Sequence, residues 1–149
     1  HVLNVIPWSS SKVNYQITSS SNVTTGTGFS ITTGANTNKL FVSFSGTATL
    51  YDGNGPYLYS VYKLVFHSDS TTTGASPSGA DITPAYEVGG NDTGESGRHD
   101  IYAVLTLTTS FAVSASTTYH CQIAGSMAST MGYFNINAVG DGYIMEIKA

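Results

Sequence analysis

Charged side chains are scarce in this sequence of 149 residues, and positive charge is especially scarce. Charged residues make up 9% of the chain, against about 25% in an ordinary soluble domain. Only five residues are lysine or arginine, and the formal net charge is −4. A nucleic-acid-binding surface needs clustered positive charge. The composition therefore excludes nucleic acid as a partner.

The chain also lacks a second cysteine and any long apolar run. The single cysteine, Cys121, cannot form an internal disulfide. Its spacing of two residues from Tyr119 and from Ile123 places the three on one face of a predicted strand. This pattern predicts a small buried side chain rather than a nucleophile. No apolar run approaches the roughly 20 residues of a membrane helix, so we expect no membrane insertion. Because the chain begins at His1 without a signal-peptide pattern, we expect a C-terminal fragment of a longer protein.

What the sequence does contain is apolar alternation with a period of two residues. Leu40, Val42 and Phe44 alternate with polar or aromatic neighbours, and the chain ends in another alternating stretch over 143–149. Such alternation is typical of half-buried β-strands. With turn signals between them, it predicts one all-β domain over 1–149, an antiparallel β-sandwich of the jelly-roll kind. The predicted strands lie near 2–6, 13–18, 27–32, 38–50, 57–68, 100–108, 117–125, 131–138 and 142–148.

Four stretches of this strand pattern resemble a known family. Residues 26–32, 38–44, 111–119 and 142–147 resemble the C-terminal head domains of bacteriophage tail fibre and spike proteins, which have jelly rolls similar to those of complement C1q and tumour necrosis factor. The resemblance implies a homotrimer on the virion surface that contacts a host-surface saccharide or protein receptor. It brings no catalytic motif with it.

Motifs of catalysis and metal binding are sparse. The sequence has no His-Glu-x-x-His pattern, no Gly-x-Ser-x-Gly elbow and no phosphate-binding loop. The oxygen-rich stretch 52–55 could contact calcium, but it lacks the remaining spacing of a calcium loop, and a plain turn fits it better. We therefore expect no enzyme activity, no cofactor and no metal ion.

Two segments supply the candidate ligand-binding residues. The first is a tyrosine-rich turn and strand, because exposed tyrosine rings suit both sugars and protein partners. The second is the long interval from Ser68 to Arg98, because long irregular segments are often functional. This interval could instead contain a short edge strand around 86–88. The two segments flank strand 57–68 at opposite ends, so they need not serve the same ligand. The predicted ligand-binding residues are Tyr57, Tyr59, Tyr86, Glu87, Asp92, Glu95, Arg98 and His99.

The sequence leaves three functions open. These are the receptor-binding head of a viral fibre or spike, a purely structural virion module, and a cellular carbohydrate-binding module. A trimer interface is expected on a sheet face made by strands 40–44 and 59–65, which would expose more apolar surface than a monomer should. The residues predicted for that interface are Phe41, Tyr59, Val61 and Val65.

Overall fold

The computed structural model describes ten β-strands and, within the described residues, no helix. It describes residues 1–10, 14–17, 21–51, 57–67, 82, 86–91, 100–127, 133–137 and 140–149. No helix long and apolar enough to cross a membrane occurs in these ranges. The strands are β1 (Val2–Ser10), β2 (Asn14–Ile17), β3 (Val23–Thr32), β4 (Lys39–Tyr51), β5 (Tyr57–His67), β6 (Tyr86–Asn91), β7 (Asp100–Ala112), β8 (Thr118–Met127), β9 (Tyr133–Asn137) and β10 (Gly140–Ile147).

The strands form two antiparallel sheets. The six-stranded sheet has the order β1-β10-β4-β9-β2, and β7 pairs with β4. The four-stranded sheet has the order β3-β8-β5-β6. The prediction of an all-β antiparallel sandwich is confirmed, while its jelly-roll assignment stays a prediction. All nine strands predicted from alternation are present. The tenth strand, β6, confirms the alternative that the long interval contains a short edge strand around 86–88.

The core lies between the two sheets, where the alternating apolar residues meet. Leu40, Val42 and Phe44 of β4 are fully buried, as is Ile123 of β8. Trp8 of β1 stacks on Phe44, with ring centroids 5.1 Å apart. It also lies 5.2 Å from the ring of Phe29 in β3, in a tilted arrangement. Trp8 therefore joins the two sheets through ring packing.

The last strand is held on both sides. β10 pairs with β1 along one edge and with β4 along the other. This pairing explains why the chain ends in a strongly alternating stretch, since an interior strand of a sandwich needs one face apolar. β1 continues through Pro7 to Ser10, farther than the sequence predicts. A proline is tolerated there because β1 is the edge of the sheet.

Strand β3 begins at Val23 and carries a bulge. Its register with β8 shifts between Thr24 and Gly28. Gly26 has a φ of 76°, which suits glycine. The bulge is bonded to β8, because the backbone nitrogen of Gly26 donates to Gln122 Oε1 at 3.1 Å and the Thr25 hydroxyl donates to the carbonyl of Ile123 at 2.7 Å. The sequence places the start of this strand at residue 27 because the bulge interrupts the alternation.

The prediction that Phe41, Tyr59, Val61 and Val65 share one sheet face is wrong. Phe41 lies in β4 of the six-stranded sheet, whereas Tyr59, Val61 and Val65 lie in β5 of the four-stranded sheet. These residues therefore belong to opposite halves of the sandwich. Alternation assigns a residue to a face of its own strand, but it does not say which strands are neighbours.

Replacing Gly142 by alanine should destabilise the domain by about 1–3 kcal/mol. A Cβ atom at Gly142 would collide with the carbonyl oxygen of Ser43 and with the indole nitrogen of Trp8. Gly34→Ala is the matched control, because its Cβ would meet only Thr37 Oγ1 at 3.4 Å and Glu146 Oε1 at 3.6 Å. Urea unfolding should show a large fall in the free energy of unfolding for the first variant and a small one for the second. Equal losses would contradict this account of the close approach.

Candidate binding surfaces

Two connections between the sheets, from Tyr51 to Tyr57 and from Asn91 to Asp100, begin and end at the same end of the sandwich. The chain leaves the six-stranded sheet at Tyr51 and enters the four-stranded sheet at Tyr57. The register pairs Tyr51 with Asp100 and Tyr57 with Asn91. The connection from Asn91 to Asp100 therefore joins the same two neighbouring strand ends in the opposite direction. We call this end of the sandwich the loop end.

The prediction that the two candidate segments lie at opposite ends of strand 57–68 is thus wrong for the later part of the long interval. The edge strand β6 returns the chain along β5, from the pair Tyr62–Tyr86 to the pair Tyr57–Asn91. His67, the residue before the interval, lies at the other end of β5. The returning strand was hidden in the sequence because Gly89 and Gly90 interrupt any alternation.

The predicted ligand-binding residues divide into three groups. Tyr57, Tyr59 and Glu87 occupy ladder positions on one face, because Tyr59 alternates with Tyr57 and Glu87 pairs with Val61. Tyr86 pairs with Tyr62, a position on the opposite face of the sheet. The residues that lie outside the described ones, all between Asn91 and Asp100, are Asp92, Glu95, Arg98 and His99.

A second surface is the outer face of the six-stranded sheet near β1 and β10. Val5, Met145 and Phe41 form one row across three strands. The next row contains Tyr143 beside Ser43. Val5 is 47% exposed and Tyr143 is 52% exposed, which is high for large apolar side chains. We call Val5, Phe41, Ser43, Tyr143 and Met145 the outer patch; none of them carries a charge.

The far end of the sandwich is fixed by the chain termini. The backbone nitrogen of His1 donates to the carbonyl of Lys148 at 2.9 Å, and Lys148 returns a bond of 2.9 Å to His1. The backbone nitrogen of Ala149 donates to the side-chain oxygen of Asn38 at 2.8 Å. β4 begins here and ends 13 residues later at the loop end. At about 3.3 Å per residue, the two ends are roughly 40 Å apart.

A buried carboxylate organises this terminal end. Glu146 is 7% exposed. Its Oε1 accepts hydrogen bonds from the backbone nitrogen of Gly34 at 2.7 Å and from the hydroxyl of Thr37 at 3.0 Å. Its Oε2 accepts from the side-chain amide of Asn4 at 3.2 Å. The carboxylate thus ties β1 and the turn before β4 to β10.

The hydrogen bonds also set the protonation of Glu146. Burial by itself would raise the pKa of this carboxyl, but the bonds from Gly34, Asn4 and Thr37 outweigh burial and hold the pKa below its ordinary value. The sequence missed this residue, because a single glutamate in an alternating terminal strand usually faces solvent. The one sequence feature that indicates a buried acceptor is the Gly-Ala-Asn-Thr turn at 34–37, which presents hydrogen-bond donors.

The thiol of Cys121 is placed for packing and not for reaction. Cys121 is fully buried, and burial raises the pKa of its thiol to about 12. A nucleophilic cysteine needs the thiolate form near neutral pH. The prediction of a small buried side chain is confirmed. Among the described residues, no group of three or more His, Cys, Asp or Glu side chains is placed to hold a metal ion.

Comparison with known proteins gives structural likeness without a family. No family model matches the chain, and no curated protein matches its sequence. The C-terminal domain of EclA, a sugar-binding protein, has a TM-score of 0.45 and 16% identity, covering 91% of this chain and 79% of that one. A chain of infectious bursal disease virus, Gx strain, has a TM-score of 0.36 and 14% identity over 97% of this chain.

These likenesses are partial. The present chain spans 34% of the virus chain. It spans 19% of the insecticidal delta-endotoxin Cry8Ea1 from Bacillus thuringiensis, with a TM-score of 0.41, 11% identity and 89% of this chain covered. Because each of these TM-scores is below 0.5, the likenesses assign no function to this chain.

The stabilising effect of Glu146 should depend on pH. Because its folded-state pKa is lowered, its contribution is present above the ordinary carboxyl pKa of about 4.3 and is lost as the pH falls through the folded-state value. Glu146→Gln should cost about 1–3 kcal/mol at pH 7, since three donors lose a charged acceptor. Urea unfolding of both proteins at pH 7, 4 and 3 should show this difference shrinking with acidity. A difference that stays constant would contradict the assignment.

Proposed function

We propose that this domain is a non-enzymatic attachment module, the receptor-binding head of a viral fibre or spike, which recognises a host-surface glycan with its loop end. One observation carries the proposal. The two connections that begin at Tyr51 and Asn91 lie at the end opposite the bonded termini, His1 and Ala149. A domain carried by a longer protein through its terminal end would present the loop end outward. Loops on a rigid sandwich commonly carry binding residues.

The chemistry near the loop end suits a saccharide. The candidate residues combine two tyrosine rings with acids, an arginine and a histidine, and such groups can stack on a sugar face and hydrogen-bond its hydroxyls. They are Tyr57, Tyr59, Glu87, Asp92, Glu95, Arg98 and His99, while Tyr86 takes the opposite face of β6. A shallow polar site of this kind binds weakly on its own, and several copies in one assembly would make up the affinity.

The outer patch supports assembly into a homotrimer. Val5 and Tyr143 expose about half of their surface, and Val2 is 51% exposed on the same edge strand. Neutral apolar surface of this kind is typical of contacts between protein chains. Although the chain as a whole is negative, the outer patch carries no charge, so two copies that meet through this patch do not repel each other there. In this proposal the outer patch serves assembly and the loop end serves recognition, on the surface of a virion.

Two alternatives remain as hypotheses. A purely structural virion module would use the outer patch in the same way but would bind no host molecule. A cellular carbohydrate-binding module would be joined to a catalytic domain and would not need to trimerise. Any sequence that precedes His1 discriminates between them, since a fibre shaft favours a virion protein and an enzyme domain favours a carbohydrate-binding module.

Recognition at the loop end is tested by changing its charges without removing a strand. The variant is the combined change Asp92→Asn, Glu95→Gln and Arg98→Gln, which leaves β6 in place. We expect glycan-array and host-cell binding to fall at least about tenfold, because each lost charged hydrogen bond costs on the order of 1 kcal/mol or more. Lys148→Gln at the terminal end is the control and should bind normally. Full-strength binding by the triple variant would place the site elsewhere.

Assembly is tested by light scattering at micromolar concentration. The wild-type domain should have three times the chain mass of 15.6 kDa. Tyr143→Glu should shift the mass toward that of one chain, because it buries a charge in the proposed interface. Ser30→Glu adds the same charge at an exposed position of the four-stranded sheet, on the opposite side of the sandwich from the outer patch, and it should leave the trimer intact. A wild-type mass near 15.6 kDa would rule the trimer out.

A further inference from the structure

Two histidines occupy directly opposite positions in the four-stranded sheet. His67 closes β5 and pairs with His120 of β8. On its other side, His120 pairs with Ser30 of β3. In an antiparallel ladder, opposite residues lie on the same face with Cβ atoms about 4.5–5.5 Å apart. Residues 53 positions apart in the chain are thus brought together by strand pairing alone.

The surroundings of His120 show which face this is. Tyr119 packs against the core and Cys121 is fully buried, so His120 between them belongs to the outer face. The neighbouring positions Ser30 and Thr118 on that face are exposed. No described residue makes a hydrogen bond with the His120 imidazole. His120 itself is half-buried, and Gln122, the next residue on the same face, is fully buried, so the position is open only toward Thr118 and Ser30.

We propose that His67 and His120 form a two-imidazole site for a first-row transition-metal dication, with Zn²⁺ as the representative. Imidazole nitrogens bind zinc at about 2.0–2.1 Å, and the register places the backbones of His67 and His120 directly opposite each other on neighbouring strands. Imidazole also suits nickel and copper, whereas calcium and magnesium prefer oxygen ligands. The remaining coordination positions are filled by water or by an incoming ligand atom.

A bound metal would link β5 to β8 near the terminal end. Because the ion binds only the folded pair of strands, it stabilises the domain by mass action. At about ten times its dissociation constant, zinc should raise the melting temperature by about 3–6 °C.

The assignment is tested on the intact untagged chain with zinc chloride. The chain has four histidines, so the ring nitrogens can be followed individually by nuclear magnetic resonance. We expect the ring nitrogens of His67 and His120 to shift together on addition of zinc. The zinc-dependent rise in melting temperature should be lost in His67→Gln and in His120→Gln. His1→Ala is the matched control, since it removes a terminal imidazole outside the pair, and it should keep the rise.

The proposal is overturned by three results. One is a shift at His1 or His99 in place of the paired histidines. Another is the lack of any ring-nitrogen shift up to millimolar zinc. The third is a melting-temperature rise that persists in both Gln variants. The measurement on the wild-type chain decides the question even if a variant unfolds.

Discussion

Strand β4 is the constraint on which the rest of the structure depends. It is 13 residues long, and β7 pairs with it along its whole length. Its other edge is shared, because β10 covers residues 39–45 and β9 covers 49–51. Its alternate residues Leu40, Val42 and Phe44 are fully buried, so their side of the strand is fixed. A shift of β4 by one residue would send this apolar set to solvent and would misplace three neighbouring strands at once.

The length of β4 also separates the two ends of the molecule. At its start, Asn38 and the turn that holds Glu146 bind the chain termini. At its end, Tyr51 pairs with Asp100 and Tyr133, and the connections to the other sheet leave from there. One end is therefore held by a set of hydrogen bonds, of which the bond from Thr37 to Glu146 is buried, and the other end carries the connecting segments.

Much of the fold could be predicted from the sequence, but the location of the candidate sites could not. Alternation identified β4 and β10 because their buried faces are continuously apolar. It left β6 uncertain because Gly89 and Gly90 break the pattern. Alternation also does not identify strand partners, so it places Phe41 and Val61 on one face although they belong to different sheets. The pairing of His67 with His120, the shared loop end and the burial of Glu146 all depend on register and long-range contacts, which no local pattern contains.

Residue-by-residue amide hydrogen exchange tests most directly whether the rest of the fold depends on the pairing of β4. Amides in the most integrated strand should open only with global unfolding, whereas edge strands open locally. We predict that residues 40–44 of β4, paired on both sides by β7 and β10, have opening free energies equal to the free energy of unfolding from urea titration. The edge strands β1 and β6 should exchange faster. Exchange of residues 40–44 at the rate of the edge strands would contradict the account.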